Sequence, residues 1–214
     1  MHERFILERR GDDWLYLVDT EQTFTPVTID FIDPYYRARG GTEYLPKTLR
    51  GMTGAHVADA TAGWARDAWL LAYRGFTVTL IERHPLLFAL LEQGIARARA
   101  DRHIADVAAR LSVVHADSRE YLRGNAFDAV YLDPMYPVRD KKSKVKKDMQ
   151  ILHALLADIP GHHEELLASA RSAAKARVIV KRPQGAPFLA DAAPSYQIHA
   201  PNTRFDIYQT SENS

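Results

Sequence analysis

Between residues 54 and 181 short apolar runs alternate with longer helical ones, and this alternation leaves the chain few folds to choose from. The apolar runs cover residues 56–60, 77–82, 112–115, 128–132 and 177–181. Each has strand length and is apolar nearly throughout, as expected where both faces of a sheet are covered. Helical runs lie between them, at residues 68–73, 85–100, 150–157 and 164–174. Strands separated by helices of this length join through right-handed crossovers, which build a parallel sheet. After Lys181 the helical pattern stops, and two short runs at 196–199 and 204–208 predict a hairpin that adds an antiparallel edge. Ahead of this unit, residues 4–18 read as a β-hairpin around Gly11-Asp12-Asp13, and a further extended piece at 27–32 follows Pro26. The expected organisation is a small β-rich N-terminal appendage, residues 1–45, on a Rossmann-like domain of residues 46–214.

The first strand-to-helix crossing carries chemistry. His56-Val57-Ala58-Asp59 runs into the small-residue turn Ala60-Thr61-Ala62-Gly63, and a helix follows Arg66-Asp67. This is the layout of a nucleotide-type site in a doubly wound sheet. The next strand ends on Glu82, roughly twenty residues past Gly63, where such folds place an acid on ribose hydroxyls. A dinucleotide fits poorly. Pyrophosphate calls for several glycines and a bare helix N-terminus, whereas here one glycine is followed by Trp64 and Arg66. The crevice instead collects acids at successive strand ends: Asp59, Asp67, Glu82, Asp117 and Asp133. Carboxylates repel phosphate and attract a cation, so the pocket suits S-adenosylmethionine, which has a sulfonium, an ammonium and a ribose but no phosphate. Asp59, Ala60, Gly63 and Glu82 are candidate contacts to it. Asp117-Ser118, after the third strand, is placed for the adenine amine, and Ser118 equally reads as a helix N-cap.

The fourth strand ends in Val130-Tyr131-Leu132-Asp133-Pro134-Met135-Tyr136-Pro137. A carboxylate beside a stiffened turn and an aromatic ring suits a planar base bearing an exocyclic amine. Asp133 can accept from the amine, Pro134 fixes the turn and Tyr136 can lie against the ring, which makes Asp133 and Tyr136 the candidate catalytic pair.

Net charge is +1, from 28 Lys and Arg against 27 Asp and Glu, so any nucleic-acid surface must be local. Six basic residues directly after the Asp133 loop, Arg139, Lys141, Lys142, Lys144, Lys146 and Lys147, supply one. They are placed to clamp phosphates that flank a target base, and Lys181-Arg182-Pro183 at the end of the fifth strand extends the patch. The chain has no cysteine, which excludes disulfides, thiolate metal sites and thiol nucleophiles. His162-His163-Glu164-Glu165 lacks the second histidine that a helical zinc pair needs at i+4, so it reads as a helix start and no metal is expected. Trp14, Trp64 and Trp69 read as packing residues. No apolar run approaches the roughly 20 residues needed to cross a bilayer, and the first residues are charged. A soluble, cytoplasmic, monomeric protein is expected.

At these residues the chain resembles the ribosomal RNA small-subunit methyltransferase J family, which forms N2-methylguanosine in 16S rRNA. The resemblance spans roughly residues 27–209. It rests on Asp59-Ala60-Thr61-Ala62-Gly63 with Arg66-Asp67-Ala68, on Glu82-Arg83, and on Tyr131-Leu132-Asp133-Pro134-Met135 with Pro137. It continues in Val145-Lys146-Lys147, Val180-Lys181-Arg182-Pro183 and Arg204-Phe205-Asp206-Ile207-Tyr208. It implies a class I S-adenosylmethionine-dependent fold and a guanine N2 target in small-subunit rRNA or the 30S particle. It also implies a donor held by Arg66-Asp67, Glu82-Arg83, Asp117-Ser118 and Asp133. The chain departs in having Trp64-Ala65 where the family usually has Leu-Gly, Tyr136 in place of phenylalanine, and a shorter glycine segment at Arg39-Gly40-Gly41-Thr42-Glu43. The Asp-Pro-Met-Tyr loop by itself also fits amino methyltransferases that act on adenine or cytosine. A non-catalytic RNA-binding assembly factor is the alternative outside the enzymes.

Overall fold

The computed structural model describes residues 4–11, 13–32, 43–135, 147–157 and 162–210. Strands β1 (Phe5–Arg10) and β2 (Trp14–Asp19) pair antiparallel as a sheet of their own. After the short helix α1 (Tyr44–Thr48) come β3 (His56–Asp59), α2 (Arg66–Tyr73), β4 (Thr77–Glu82), α3 (Pro85–Ala100), α4 (Ala105–Ala108) and β5 (Leu111–His115). Then follow α5 (Ser118–Arg123), β6 (Phe127–Leu132), α6 (Lys147–Leu155), α7 (His163–Ala173) and β7 (Ala174–Pro183). A 3-10 turn at Leu189–Asp191 precedes β8 (Tyr196–His199) and β9 (Thr203–Gln209).

Strands β3 to β9 form one seven-stranded sheet in the order β5-β4-β3-β6-β7-β9-β8. The first five are parallel, and β9 runs antiparallel between β7 and β8. The expected sheet and its antiparallel edge are therefore both present. From β3 the chain winds outward through β4 and β5, then returns to lay β6 on the other side of β3. Loops leaving β3 and β6 diverge there, and doubly wound sheets bind ligands in the crevice so formed.

The winding follows from where apolar side chains sit. In β4 every residue after Thr77 is buried, and in β6 all but Asp128, as expected for strands covered on both faces. Successive residues feed opposite clusters: Val57 and Tyr131 join one, Ala58, Val130 and Leu132 the other. The first cluster packs under α2, α3 and α6 through Trp69, Leu71, Leu90, Leu91 and Leu152. The second packs under α5 and α7 through Leu122, Leu167 and Ala170. Helix α3 shows how local chemistry sets an element. Pro85 occupies its first turn, the His84 ring accepts from the Leu86 N–H at 3.3 Å, and Arg97 and Arg99 complement the negative end of its dipole.

The N-terminal hairpin joins the first cluster through Phe5 and Leu17. The piece expected to extend over residues 27–32 pairs only at Val27, bridged to Leu17. Beyond it, Ile29 and Phe31 are each 1% exposed, and Phe31 stacks on Trp69 at 4.6 Å. Core insertion thus replaces strand pairing. It depends on Gly94 of α3, where a Cβ would lie 2.8 Å from the Ile29 carbonyl oxygen.

Candidate active site

A cleft of about 1080 Å³ opens where β3, β4, β5 and β6 end, ample for a nucleoside-sized ligand. The turn after β3 forms its floor. The Ala60 N–H donates to the Tyr131 carbonyl at 3.0 Å, continuing the β3–β6 ladder past the strand. The Thr61 N–H donates to Asp59 Oδ1 at 3.1 Å, and the Thr61 hydroxyl accepts from the Asp133 N–H at 2.6 Å. One threonine thus ties the two site-bearing loops together. Gly63 turns the chain at φ +49°, where a Cβ would also press on Leu152 at 3.4 Å. Ala65 follows at φ +57°, a left-handed position that favours glycine.

Two acids on the wall are held by their neighbours. Glu82, 6% exposed, accepts from the Gly63 N–H at 3.2 Å and the His84 N–H at 2.8 Å, and burial raises its carboxyl above the usual range. Asp117 caps α5 by accepting from the Arg119 N–H at 2.8 Å. The Arg119 guanidinium grips both Asp117 oxygens, at 3.0 and 2.9 Å, and holds that carboxyl below its ordinary value. Ser118, also a candidate cap in sequence terms, is instead the first helical residue, and its hydroxyl donates to the Ala60 carbonyl at 2.7 Å.

Beside the cleft lies a network of opposed charges. Lys181 Nζ donates to Asp67 Oδ2 at 2.7 Å and to Asp133 Oδ2 at 2.9 Å, while the Tyr131 hydroxyl donates to Asp67 Oδ2 at 2.5 Å. Burial opposes the Lys181 charge, yet the two carboxylates overcome that and raise its pKa. Asp59, 2% exposed, is pushed up to about 8, chiefly by burial and further by Asp67 and Asp133. At neutral pH it is therefore mostly uncharged. Desolvation also raises Asp133, with Lys181 pulling the other way.

Of the residues expected to hold a donor, Ala60, Gly63, Glu82 and Arg83 line the cleft, with Asp117, Ser118 and Asp133 opposite them. Asp59, Arg66 and Asp67 do not line it. Arg66 pairs with Asp148 of α6, beside Trp64, whose Nε1 donates to the Asp148 carbonyl at 3.1 Å. Pro134 lines the cleft, and Lys147 is exposed at the start of α6. Tyr136, Arg139, Lys141, Lys142, Lys144 and Lys146 lie outside the described residues. The expectation that Lys181 and Arg182 extend the basic patch is corrected. Lys181 gives its ammonium to two carboxylates, and Arg182, 3% exposed, donates to the Pro187 carbonyl at 3.0 and 3.2 Å. Thr61, Tyr131 and Arg119 were not singled out by sequence. Tyr131 carries a readable signal, since it lies two residues before Asp133 and so on the same side of β6. Among the described residues no group of three or more His, Asp or Glu is placed to hold a metal, and no helix is long and apolar enough to cross a membrane.

Comparison with known proteins agrees with this geometry. A family profile described as a putative SAM-dependent methyltransferase matches residues 4–210. The ribosomal RNA small subunit methyltransferase J of Pseudomonas aeruginosa is 40% identical over 193 residues, covering 86% of this chain and 74% of that protein. Its counterpart in Chromobacterium violaceum is 45% identical over 182 residues, covering 80% and 70%. The crystal structure of a SAM-dependent methyltransferase from Neisseria gonorrhoeae superposes with a TM-score of 0.76 at 35% identity, covering 94% of this chain and 81% of that one.

Proposed function

The chain belongs to the family of small-subunit ribosomal RNA methyltransferases J, which are S-adenosylmethionine-dependent, and on that premise we propose that it methylates the exocyclic N2 amine of a guanine in 16S rRNA. One observation carries the reading. Asp133 stands on the cleft wall with its N–H tied to Thr61 and its Oδ2 tied to Lys181, while Oδ1 has no hydrogen-bond partner among the described residues. A fixed carboxylate with one open acceptor is what an amine nucleophile needs.

The donor set fits S-adenosylmethionine. Glu82 at the end of β4 suits the ribose diol, Asp117 after β5 suits the adenine amine, and the close turn at Gly63 lets backbone approach the ligand. When bound, this cofactor supplies an electrophilic methyl group on a sulfonium. The remaining work falls to the chain. The guanine amine is a weak nucleophile because its lone pair is delocalised into the ring. A hydrogen bond from the amine to Asp133 Oδ1 draws the nitrogen towards tetrahedral geometry and frees that lone pair. The same oxygen is placed to take the proton that the nitrogen sheds on methylation. Pro134, on the same wall, fixes the turn and offers a carbonyl but no N–H. Tyr136 is assigned to stack on the base, and the basic residues from Arg139 to Lys147 to hold flanking phosphates in rRNA or the 30S particle. The base must leave its helix to enter the cleft.

The test is methyl transfer from labelled S-adenosylmethionine to unmethylated small subunits. Asp133→Asn should lose transfer by at least about 100-fold, the scale of a positioned proton acceptor, while still binding S-adenosylhomocysteine in calorimetry. Near-normal turnover by that variant would remove Asp133 from the chemistry.

A further inference from the structure

We propose that Lys181 is a positioning residue that keeps Asp133 an ionised hydrogen-bond acceptor, with Asp67 and Tyr131 setting where its ammonium stands; this deepens the reading of Asp133 above and rests on it.

The argument starts from strand register. β6 and β7 are parallel, with Leu132 opposite Val180. One step further along each strand places Asp133 beside Lys181, so the pairing follows from sheet geometry and needs no loop. The ammonium is then shared. It lies 2.9 Å from Asp133 Oδ2 and 2.7 Å from Asp67 Oδ2, and Asp67 is held from its other side by the Tyr131 hydroxyl at 2.5 Å. The chain Tyr131–Asp67–Lys181–Asp133 spans α2, β6 and β7. It fixes one Asp133 oxygen and leaves the other open.

The charges facing Asp133 show why a cation is required. From β3 comes Asp59, from α2 Asp67, from β6 the Tyr131 hydroxyl, and from β7 Lys181 and Arg182. Arg182 is committed to the Pro187 carbonyl, whereas Lys181 touches the carboxylate itself. Without Lys181, three acids would share a poorly solvated site, and like charges so placed cannot all stay ionised. The proton would settle on Asp133 or a neighbour. A protonated Asp133 donates where the reaction needs it to accept, so the rate would fall at neutral pH and return at high pH. Removing Asp67 instead takes away a competing negative charge and leaves Lys181 to Asp133 alone. The rate profile should then move the opposite way.

The experiment titrates Asp133 by carboxyl carbon NMR in the free protein, assigned by loss of the signal in Asp133→Asn, and measures kcat against pH at saturating S-adenosylmethionine. Lys181→Met should raise the Asp133 midpoint by about one pH unit or more, the usual effect of losing a contacting opposite charge. The acid limb of kcat should rise with it, so that transfer at pH 7 falls about tenfold for each unit and recovers towards pH 9. S-adenosylhomocysteine affinity should stay within about threefold, since Lys181 does not line the cleft. Lys181→Arg should restore much of the wild-type profile. Asp67→Asn should move both midpoints down, which general loosening would not produce, and it keeps the proposal testable if Lys181→Met fails to fold. Unchanged midpoints in Lys181→Met, or shifts of the same sign in Lys181→Met and Asp67→Asn, would overturn the proposal. If Asp133→Asn keeps full turnover while the NMR shifts appear, the catalytic reading of Asp133 fails and the electrostatic coupling stands.

Discussion

Replacing Asp59 with asparagine should stabilise the protein, and the gain should grow as pH rises. Asp59 is 2% exposed at the end of β3, and its carboxyl titrates at about 8, against 3.8 in an unfolded chain. Between those values the folded protein holds a proton that the unfolded chain has released. Rising pH therefore favours the unfolded chain across that window, by up to about 1.4 kcal/mol per unit. Above about pH 8 both states are ionised and the penalty is constant. The substituted amide cannot ionise, yet its carbonyl can still accept from the Thr61 N–H now bound at 3.1 Å. From pH 6 to pH 9 the wild type should thus lose up to about 3 kcal/mol that the variant keeps, and about 1–3 kcal/mol after relaxation and water entry. For a chain of 214 residues this separates the two melting curves by roughly 3–10 °C more at pH 9 than at pH 6. Thermal unfolding by circular dichroism at both pH values reads it directly. Parallel pH dependence in wild type and Asp59→Asn would show that Asp59 has the same charge folded and unfolded, and would refute the reasoning.

Gly94→Ala should destabilise despite alanine's advantage of about 1 kcal/mol in a helix, because the added Cβ meets the Ile29 carbonyl at 2.8 Å and Ile29 Cγ2 at 3.0 Å. A net loss of about 1–2 kcal/mol is expected in urea unfolding, and a gain would show that the N-terminal segment yields freely. Glu82→Gln keeps an acceptor for the Gly63 and His84 N–H groups but removes the charge, so S-adenosylhomocysteine should bind about 10–100-fold more weakly in calorimetry. Arg119→Ala frees both Asp117 oxygens and cuts the 2.5 Å contact to Glu165, and should weaken the same ligand about 3–10-fold without loss of fold.

The parallel sheet was legible in the sequence because its strands are continuous apolar runs, and Thr77–Glu82 and Tyr196–His199 fall on their expected bounds. Glu82 and Asp133 were legible too, since strand ends at a switch point are set by spacing alone. What stayed hidden depends on partners far along the chain. Lys181 and Arg182 read as a basic surface string, but the acids that hold Lys181 lie 114 and 48 residues away, and only the β6–β7 register brings Asp133 to it. Arg66 likewise finds Asp148 at 82 residues' distance. The run at 27–32 has strand composition, yet Ile29 and Phe31 gain more from the core beside Gly94 than from a second pairing partner. Helices α1 and α4, of five and four residues, are too short to show a period.

The central claim is that an amine, held at Asp133 Oδ1, takes the methyl group, and that the amine is N2 of guanine. Nucleoside mass spectrometry of small-subunit rRNA, after incubating unmethylated subunits with the protein and isotope-labelled S-adenosylmethionine, tests it most directly. The account predicts label in N2-methylguanosine alone and none with Asp133→Asn. Label in N6-methyladenosine or N4-methylcytidine, or none with the active wild type, would contradict it.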